Sequence, residues 1–572
     1  MGSGDRLITV IRAVSAQSPN LIENHIMKQV NHTPRLLAVA VAATFAGSAW
    51  AQTPPDAGQL LQEQRTAPVM PTPSPDFRIE APMPGETPPG GAKVVVQRIE
   101  LMGHSVFDEA TLLDVLGEVA GQSYDLADLR ALANRITLHY RNNGYPFARA
   151  FLPAQTAREG VVRIEVLEGR YGKIITHGED AVAARANDFL APLAPGEVIE
   201  SRLLERTTLI LDDQPGIAIS PVMRPGEAVG TGNLDVQVTK ERELLGEVGA
   251  DNYGNRNTGY HRARFNLQAN SPFLFGDQLS LRTLYTDEQM WLLSLSYGLP
   301  LGSSGLRGSI SYAHTDYALA RGFTGHGDAK VTSVGLSYPL LRSQPANLTL
   351  SANYQHKVLY NNINNGADVS DYSSQSLPIS LQFDRRDGFG GGGINFGSLT
   401  LTAGQMRLSD SMRTNPLRDD QHGDFAKLNL DVVRLQLLPN RFTFYARAAA
   451  QWANGNLDSS EGFSIAGANG VRAYPTGEAS GDEGYLVQAE LRYQHGAFAP
   501  YVFYDTAAIS VNADGMGQPN PRINLHGGGL GLRYQQQGFN LDLAAAWRGS
   551  EKAAPPHDKD DVRLWATVGY RF

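Results

Sequence analysis

Arg472 lies in the run Gly470-Val471-Arg472-Ala473-Tyr474-Pro475, between a β-branched residue and a tyrosine on a loop bounded by glycine and proline. Its chemistry is a permanent, forked positive charge, which suits a loop tip that folds back into an enclosed polar space. About thirty residues on, the strand-like run Phe503-Tyr504-Asp505-Thr506-Ala507 carries a carboxylate. The groups that would make such charges catalytic are missing from the sequence. It has no Gly-x-Ser-x-Gly elbow, no His-Glu-x-x-His pair and no Walker loop, so no nucleophile, metal cage or phosphate cradle is visible. The glycines at Gly390 to Gly393 and Gly527 to Gly529 read as turn and strand residues, and the 13 histidines lack ligand spacing. No enzyme activity and no cofactor or metal are expected.

Strands are the elements that must position these charges. From Asp561 to Phe572 the chain alternates: Val562, Leu564, Ala566, Val568, Tyr570 and Phe572 share one face, while Arg563, Trp565, Thr567, Gly569 and Arg571 share the other. That is the pattern of a lipid face and a lumen face. Upstream, Ala263, Phe265, Leu267 and Ala269 oppose Arg262, Arg264, Asn266 and Gln268 in the same way. The stretch 243–572 is long enough for about 16 antiparallel strands of about ten residues each, a barrel wide enough to enclose water. Residues 384–388, Asp-Arg-Arg-Asp-Gly, fit a charged strand end before a turn.

The N-terminal part predicts a route to that barrel. Residues 27–51 read as a signal peptide, with Lys28 and Arg35 before an apolar core and Ala49-Trp50-Ala51 as a cleavage site leaving Gln52. Its apolar run is too short to span a bilayer, so the chain is expected to cross a membrane only as a barrel. Residues 52–92 hold a short helix, Ala57 to Arg65, and a proline-rich linker. Two β-α-α-β-β units follow at 93–170 and 171–242. In the first, Asp108 and Asp125 cap helices, and Ala148, Arg149, Ala150, Phe151 and Leu152 begin a hairpin. The chain has no cysteine, which suits passage through an oxidising compartment, and its formal charge of -9 disfavours a nucleic-acid partner.

The Val471 to Pro475 run resembles the V-R-G-Y loop motif of outer-membrane barrels that fold or export polypeptides. Phe503, Asp505 and Ala507 resemble the F-x-D-x-G strand motif of the same superfamily, with Ala473 and Ala507 standing where glycine is usual. The two small units are similar to tandem POTRA domains. Together these features resemble the TpsB transporters of two-partner secretion, the ShlB/FhaC/HecB group; two POTRA units rather than three or five fit that group among its relatives. The resemblance implies a transmembrane β-barrel preceded by two periplasmic α+β POTRA-like domains, in which Arg472 reaches Asp505 across the lumen. It implies export of one large TpsA-like exoprotein without ATP, captured through its N-terminal secretion domain on the edge Ala148 to Leu152. Terminal Tyr570 and Phe572 would be read by the barrel assembly machinery, and the outer face would meet outer-membrane lipid. A barrel insertase and a diffusion porin are the alternatives.

Overall fold

A computed structural model describes residues 55–64, 67–71, 90, 92–364, 366, 368–414, 416–515, 520–549 and 561–572. The signal peptide at 27–51 and most of the proline-rich linker lie outside the described residues. Helix α1, Ala57–Glu63, starts at Asp56, whose carboxylate accepts from the Gln59 amide at 2.8 Å.

The first small domain carries α2, Glu109–Leu116, and α3, Leu126–Asn142, the latter opened by a reciprocal capping box between Asp125 and Asp128. Leu112, Ile136 and Tyr140 pack these helices on a three-stranded sheet. In it Val161–Leu167 runs between Arg98–Met102, parallel, and Arg149–Phe151, antiparallel. The opening strand of this domain comes in two pieces. Val94–Val96 pairs with Gln122–Tyr124 in a ribbon of its own. The break falls at Gln97, whose amide donates to Gly160 O at 2.8 Å, a close approach that only glycine allows, since a Cβ at Gly160 would lie 2.6 Å from Val95 O.

The second domain repeats the plan with α4, Asp180–Leu190, and α5, Ser201–Asp212, over the strands Arg170–His177, Thr231–Lys240 and Ile217–Pro225. Only Glu168 and Gly169 separate the two sheets. The Glu168 carboxylate accepts from Ser105 N (2.5 Å), Val106 N (2.8 Å), Tyr140 OH (2.9 Å) and Arg170 Nη2 (2.8 Å). Arg170 Nη1 donates in turn to Gly196 O in the second domain, 3.0 Å away. Phe147 of the first domain packs on the second domain's core. The pair forms one arm, and its second half docks on one side of the barrel. There Arg342 grips Asp213 with two 2.7 Å bonds, and Arg206 Nη2 donates to Pro339 O at 2.8 Å.

The barrel is closed and antiparallel, with 16 strands from Leu244–Asp251 to Val562–Arg571. Its last strand meets the first over the pairs Thr567↔Asp251 to Arg571↔Glu247, and Phe572 extends the seam by exchanging two 3.0 Å backbone bonds with Gly246. Strand lengths run from 8 to 20 residues, so one side of the wall stands taller than the seam. Leu293, Leu295, Ile310, Tyr312, Val334 and Leu336 are exposed on the outer face, the apolar band of a membrane barrel. Residues 384–388 close the strand Asp368–Asp387 at its turn, where Arg434 pairs with Asp387.

Candidate functional site: a loop anchored inside the barrel

Between the strands Phe442–Ala453 and Glu483–Tyr493 the chain leaves the wall for residues 454–482 and folds back into the lumen. A two-residue ribbon, Phe463–Ser464 with Ser480–Gly481, forms its neck. At its tip Val471 and Tyr474 are fully buried, and Arg472 and Pro475 are buried beside them. The turn is held by the Val471 amide donating to Ile465 O at 2.7 Å and the Tyr474 amide to Val471 O at 3.1 Å.

Arg472 meets Asp505 three times: Nε at 2.8 Å, Nη2 at 2.7 Å and its own backbone amide at 3.1 Å. Its remaining nitrogen, Nη1, donates to Glu490 at 2.5 Å. The guanidinium carbon stands 3.6 Å from the centre of the Phe503 ring, so aromatic face and carboxylates together enclose the charge. Trp565 on the last strand donates from Nε1 to Arg472 O at 2.7 Å. Glu490 also takes Arg533 at 3.0 Å and Arg492 at 2.6 Å. The loop tip is therefore seated on an ion network spread over three strands, with Trp565 holding it from a fourth.

The two alanines that replace glycines have a place. A Cβ at Gly527 would stand 2.4 Å from the Ala473 Cβ, so Ala473 occupies space left by a glycine on the facing strand. Ala507 is buried at 2% exposure. A second anchor holds the loop's neck: Glu461 is paired with Lys357 at 2.5 Å and Lys427 at 2.8 Å.

Helix α1 lies against this loop. Gln62 donates to Ser460 O, Gln59 Nε2 to Gly477 O at 2.9 Å, and Ser459 Oγ to Asp56 Oδ1 at 2.7 Å. On the wall side the Ala57 amide donates to Asn361 Oδ1 at 2.8 Å and Asn255 Nδ2 to Glu63 at 2.8 Å. Gly58 makes the contact possible, because a Cβ there would lie 2.3 Å from Ser459 Oγ. Between loop, helix and wall remains a cavity of about 320 Å³ lined by Gln355, Lys357, Thr400, Thr402, Lys427 and Arg447, among others.

The remaining expected residues lie elsewhere. Ala148 to Leu152 is in the first domain, away from the lumen, with only Arg149–Phe151 as strand. The Ala150 amide of that strand donates to Thr137 Oγ1 at 2.9 Å. Tyr570 packs its ring 4.6 Å from Phe539, and Phe572 covers Gly246. Sequence reasoning missed Glu490, Trp565, Gly527 and the Lys357–Glu461–Lys427 group. Glu490 and Arg492 alternate with outward Tyr485, Val487 and Leu491, a signal that could have marked them.

A family model described as haemolysin secretion/activation protein ShlB/FhaC/HecB matches residues 230–534, and a POTRA domain of ShlB type matches residues 94–169. Among curated relatives, the heme/hemopexin transporter protein HuxB of Haemophilus influenzae (strain 86-028NP) is 25% identical over 89% of this chain and 94% of its own. The outer membrane transporter CdiB of Escherichia coli O6:K15:H31 is 25% identical over 76% and 75%. The solved structure of CdiB from Escherichia coli shares the fold at a TM-score of 0.70, with 20% identity, over 96% of this chain and 100% of that one. With more than half of its length matched, including the anchored loop, the chain belongs to the haemolysin secretion/activation family ShlB/FhaC/HecB.

Proposed function

We propose that this protein exports one large partner polypeptide through the outer membrane, in which its barrel resides with both POTRA domains in the periplasm. Capture begins on the first domain, and passage follows the barrel lumen. No nucleotide site is needed, and the protein is not an enzyme. The relatives named above are transporters by description, one of heme/hemopexin, which supports the same class of work here. The observation that carries the reading is the loop locked into the lumen by Arg472, Asp505 and Glu490. Such a loop, with α1 beside it, stands where an open diffusion pore needs water, which disfavours a porin. The same contacts define a resting state in which the pathway is occupied and has to be cleared.

The test is genetic. Deleting this gene should remove one large protein from the culture medium and leave other outer-membrane barrels at their normal level. A general loss of barrels would make the protein an insertase; unchanged secretion with reduced small-solute uptake would make it a porin.

A further inference from the structure

The sheet of the first domain has two edges, Arg98–Met102 and Arg149–Phe151, and the outward side of the second is closed by a side chain. Ala150 faces Val166 in an antiparallel pair, and in such a pair alternate residues turn their backbone groups away from the partner strand. The Ala150 amide makes that turn and donates to Thr137 Oγ1 at 2.9 Å, from a threonine of α3 that is 1% exposed. The same hydroxyl donates to Ala133 O, one helical turn back, at 3.2 Å. Thr137 thus does for Ala150 what the carbonyl of an added strand would do. If Ala150 turned to such a carbonyl, the Thr137 hydroxyl would keep its bond to Ala133 O, so no donor is stranded by the exchange. In the second domain the corresponding antiparallel edge strand, Ile217–Pro225, carries Pro221 and Pro225, which have no amide to give.

We propose that Thr137 is a latch on the edge strand of the first domain. It holds the Ala150 amide until an extended segment of the exported polypeptide replaces the hydroxyl and adds a fourth strand beside Arg149–Phe151. The latch keeps an open edge from pairing with the wrong chain, and it opens by trading one hydrogen bond for another. For its occupant it rests on the export reading; for its geometry it does not.

The test uses the full-length protein and, as probe, the unfolded polypeptide that vanishes from the medium when the gene is deleted. Thr137→Val keeps the volume and removes the acceptor, so capture should tighten about fivefold, the weight of one hydrogen bond. Thr137→Ser should match the wild type. Equal or weaker capture by an inserted Thr137→Val protein overturns the latch. If that variant does not insert, a photo-crosslinking residue at exposed Arg149 of the otherwise native chain must trap the probe; no adduct overturns the proposal. If no polypeptide vanishes from the medium, the export reading fails on its own. Amide exchange at Ala150 then still judges the latch: it should rise about fivefold in Thr137→Val, and an unchanged rate overturns it.

Discussion

Replacing Arg472 by alanine should cut secretion severely while the barrel still assembles. The strand ladder is untouched, since Arg472 lies on the loop and not on the wall. The loss falls unequally on the two carboxylates. Glu490 keeps Arg533 at 3.0 Å and Arg492 at 2.6 Å. Asp505, at 0% exposure, loses its Nε and Nη2 partners and retains only the backbone amide at 3.1 Å. A buried carboxylate stripped of its cation costs about 3–5 kcal/mol in a dry site and less once water enters. The loop can avoid that cost by leaving its seat, so the defect should appear as misplacement of residues 454–482 rather than as a barrel that unfolds.

The assay is secreted partner per unit of heat-modifiable barrel, for Arg472→Ala, Arg472→Lys, Asp505→Asn and the double mutant Arg472→Ala/Asp505→Asn. Lysine keeps the charge and loses the fork, so it should restore secretion only in part. Asp505→Asn leaves Arg472 its 2.5 Å bond to Glu490 and should be the milder single change. The double mutant strands no charge. Its defect should be no worse than that of Arg472→Ala, a coupling of about 1–3 kcal/mol in the range found for contacting residues. Two losses that simply add would show that the residues act independently, and the anchoring argument would fall with them.

Gly58→Val puts a side chain where a Cβ already stands 2.3 Å from Ser459 Oγ and 2.5 Å from the Ser460 amide, so α1 should leave the lumen and raise single-channel conductance in planar bilayers; equal conductance refutes the plug. Deleting Phe572 removes two 3.0 Å bonds to Gly246 and should block outer-membrane insertion; a heat-modifiable band from the truncated protein counts against this. Burial alone would raise the Glu168 carboxyl, but the hydroxyl and amide of Ser105, the Val106 amide and the Tyr140 hydroxyl hold it below its ordinary value of 4.5. A depressed folded value means that this stabilisation is complete above the ordinary value and is lost as pH falls through the folded one. Amide protection of the first domain, followed from about pH 7 down to about pH 3, should therefore fall in the wild type and change less in Glu168→Gln.

Much of this fold was legible because its elements write themselves locally. Period-two alternation announced strands, including the last one before Phe572, and aspartates announced helix starts at 108 and 125. The loop motif was legible through two residues, Arg472 and Asp505, separated by little more than a hairpin. What could not be read depends on closure. Glu490, Trp565 and Gly527 lie on three different strands and meet the loop only because the sheet curls into a cylinder. Lys357 lies 104 residues from Glu461, and no local pattern ties them. The break between Val94–Val96 and Arg98–Met102 was hidden for a related reason: Gly160, whose carbonyl takes the Gln97 amide, lies more than sixty residues further along the chain.

The two lumen elements are held by bonds of different kinds, and that difference sets an order of release. The loop tip is held by a buried guanidinium with two carboxylate partners, and its neck by a carboxylate between two lysines. Removing either anchor strands a charge, so the loop resists displacement as a unit. Helix α1 is held by single hydrogen bonds, to Asn361, Gly477 and Asn255 among others, each contributing about 1 kcal/mol net and replaceable by water, and by Ala57 and Leu60, buried beside Tyr317 and Leu359 of the wall. At 7 residues α1 is also well below the length at which a helix persists alone in water, so once out it has little tendency to refold and return. An incoming chain that competes for those hydrogen bonds would therefore clear α1 first and meet the anchored loop still in place. The space beside the loop, and not the loop's own seat, is then the course left for the chain to follow.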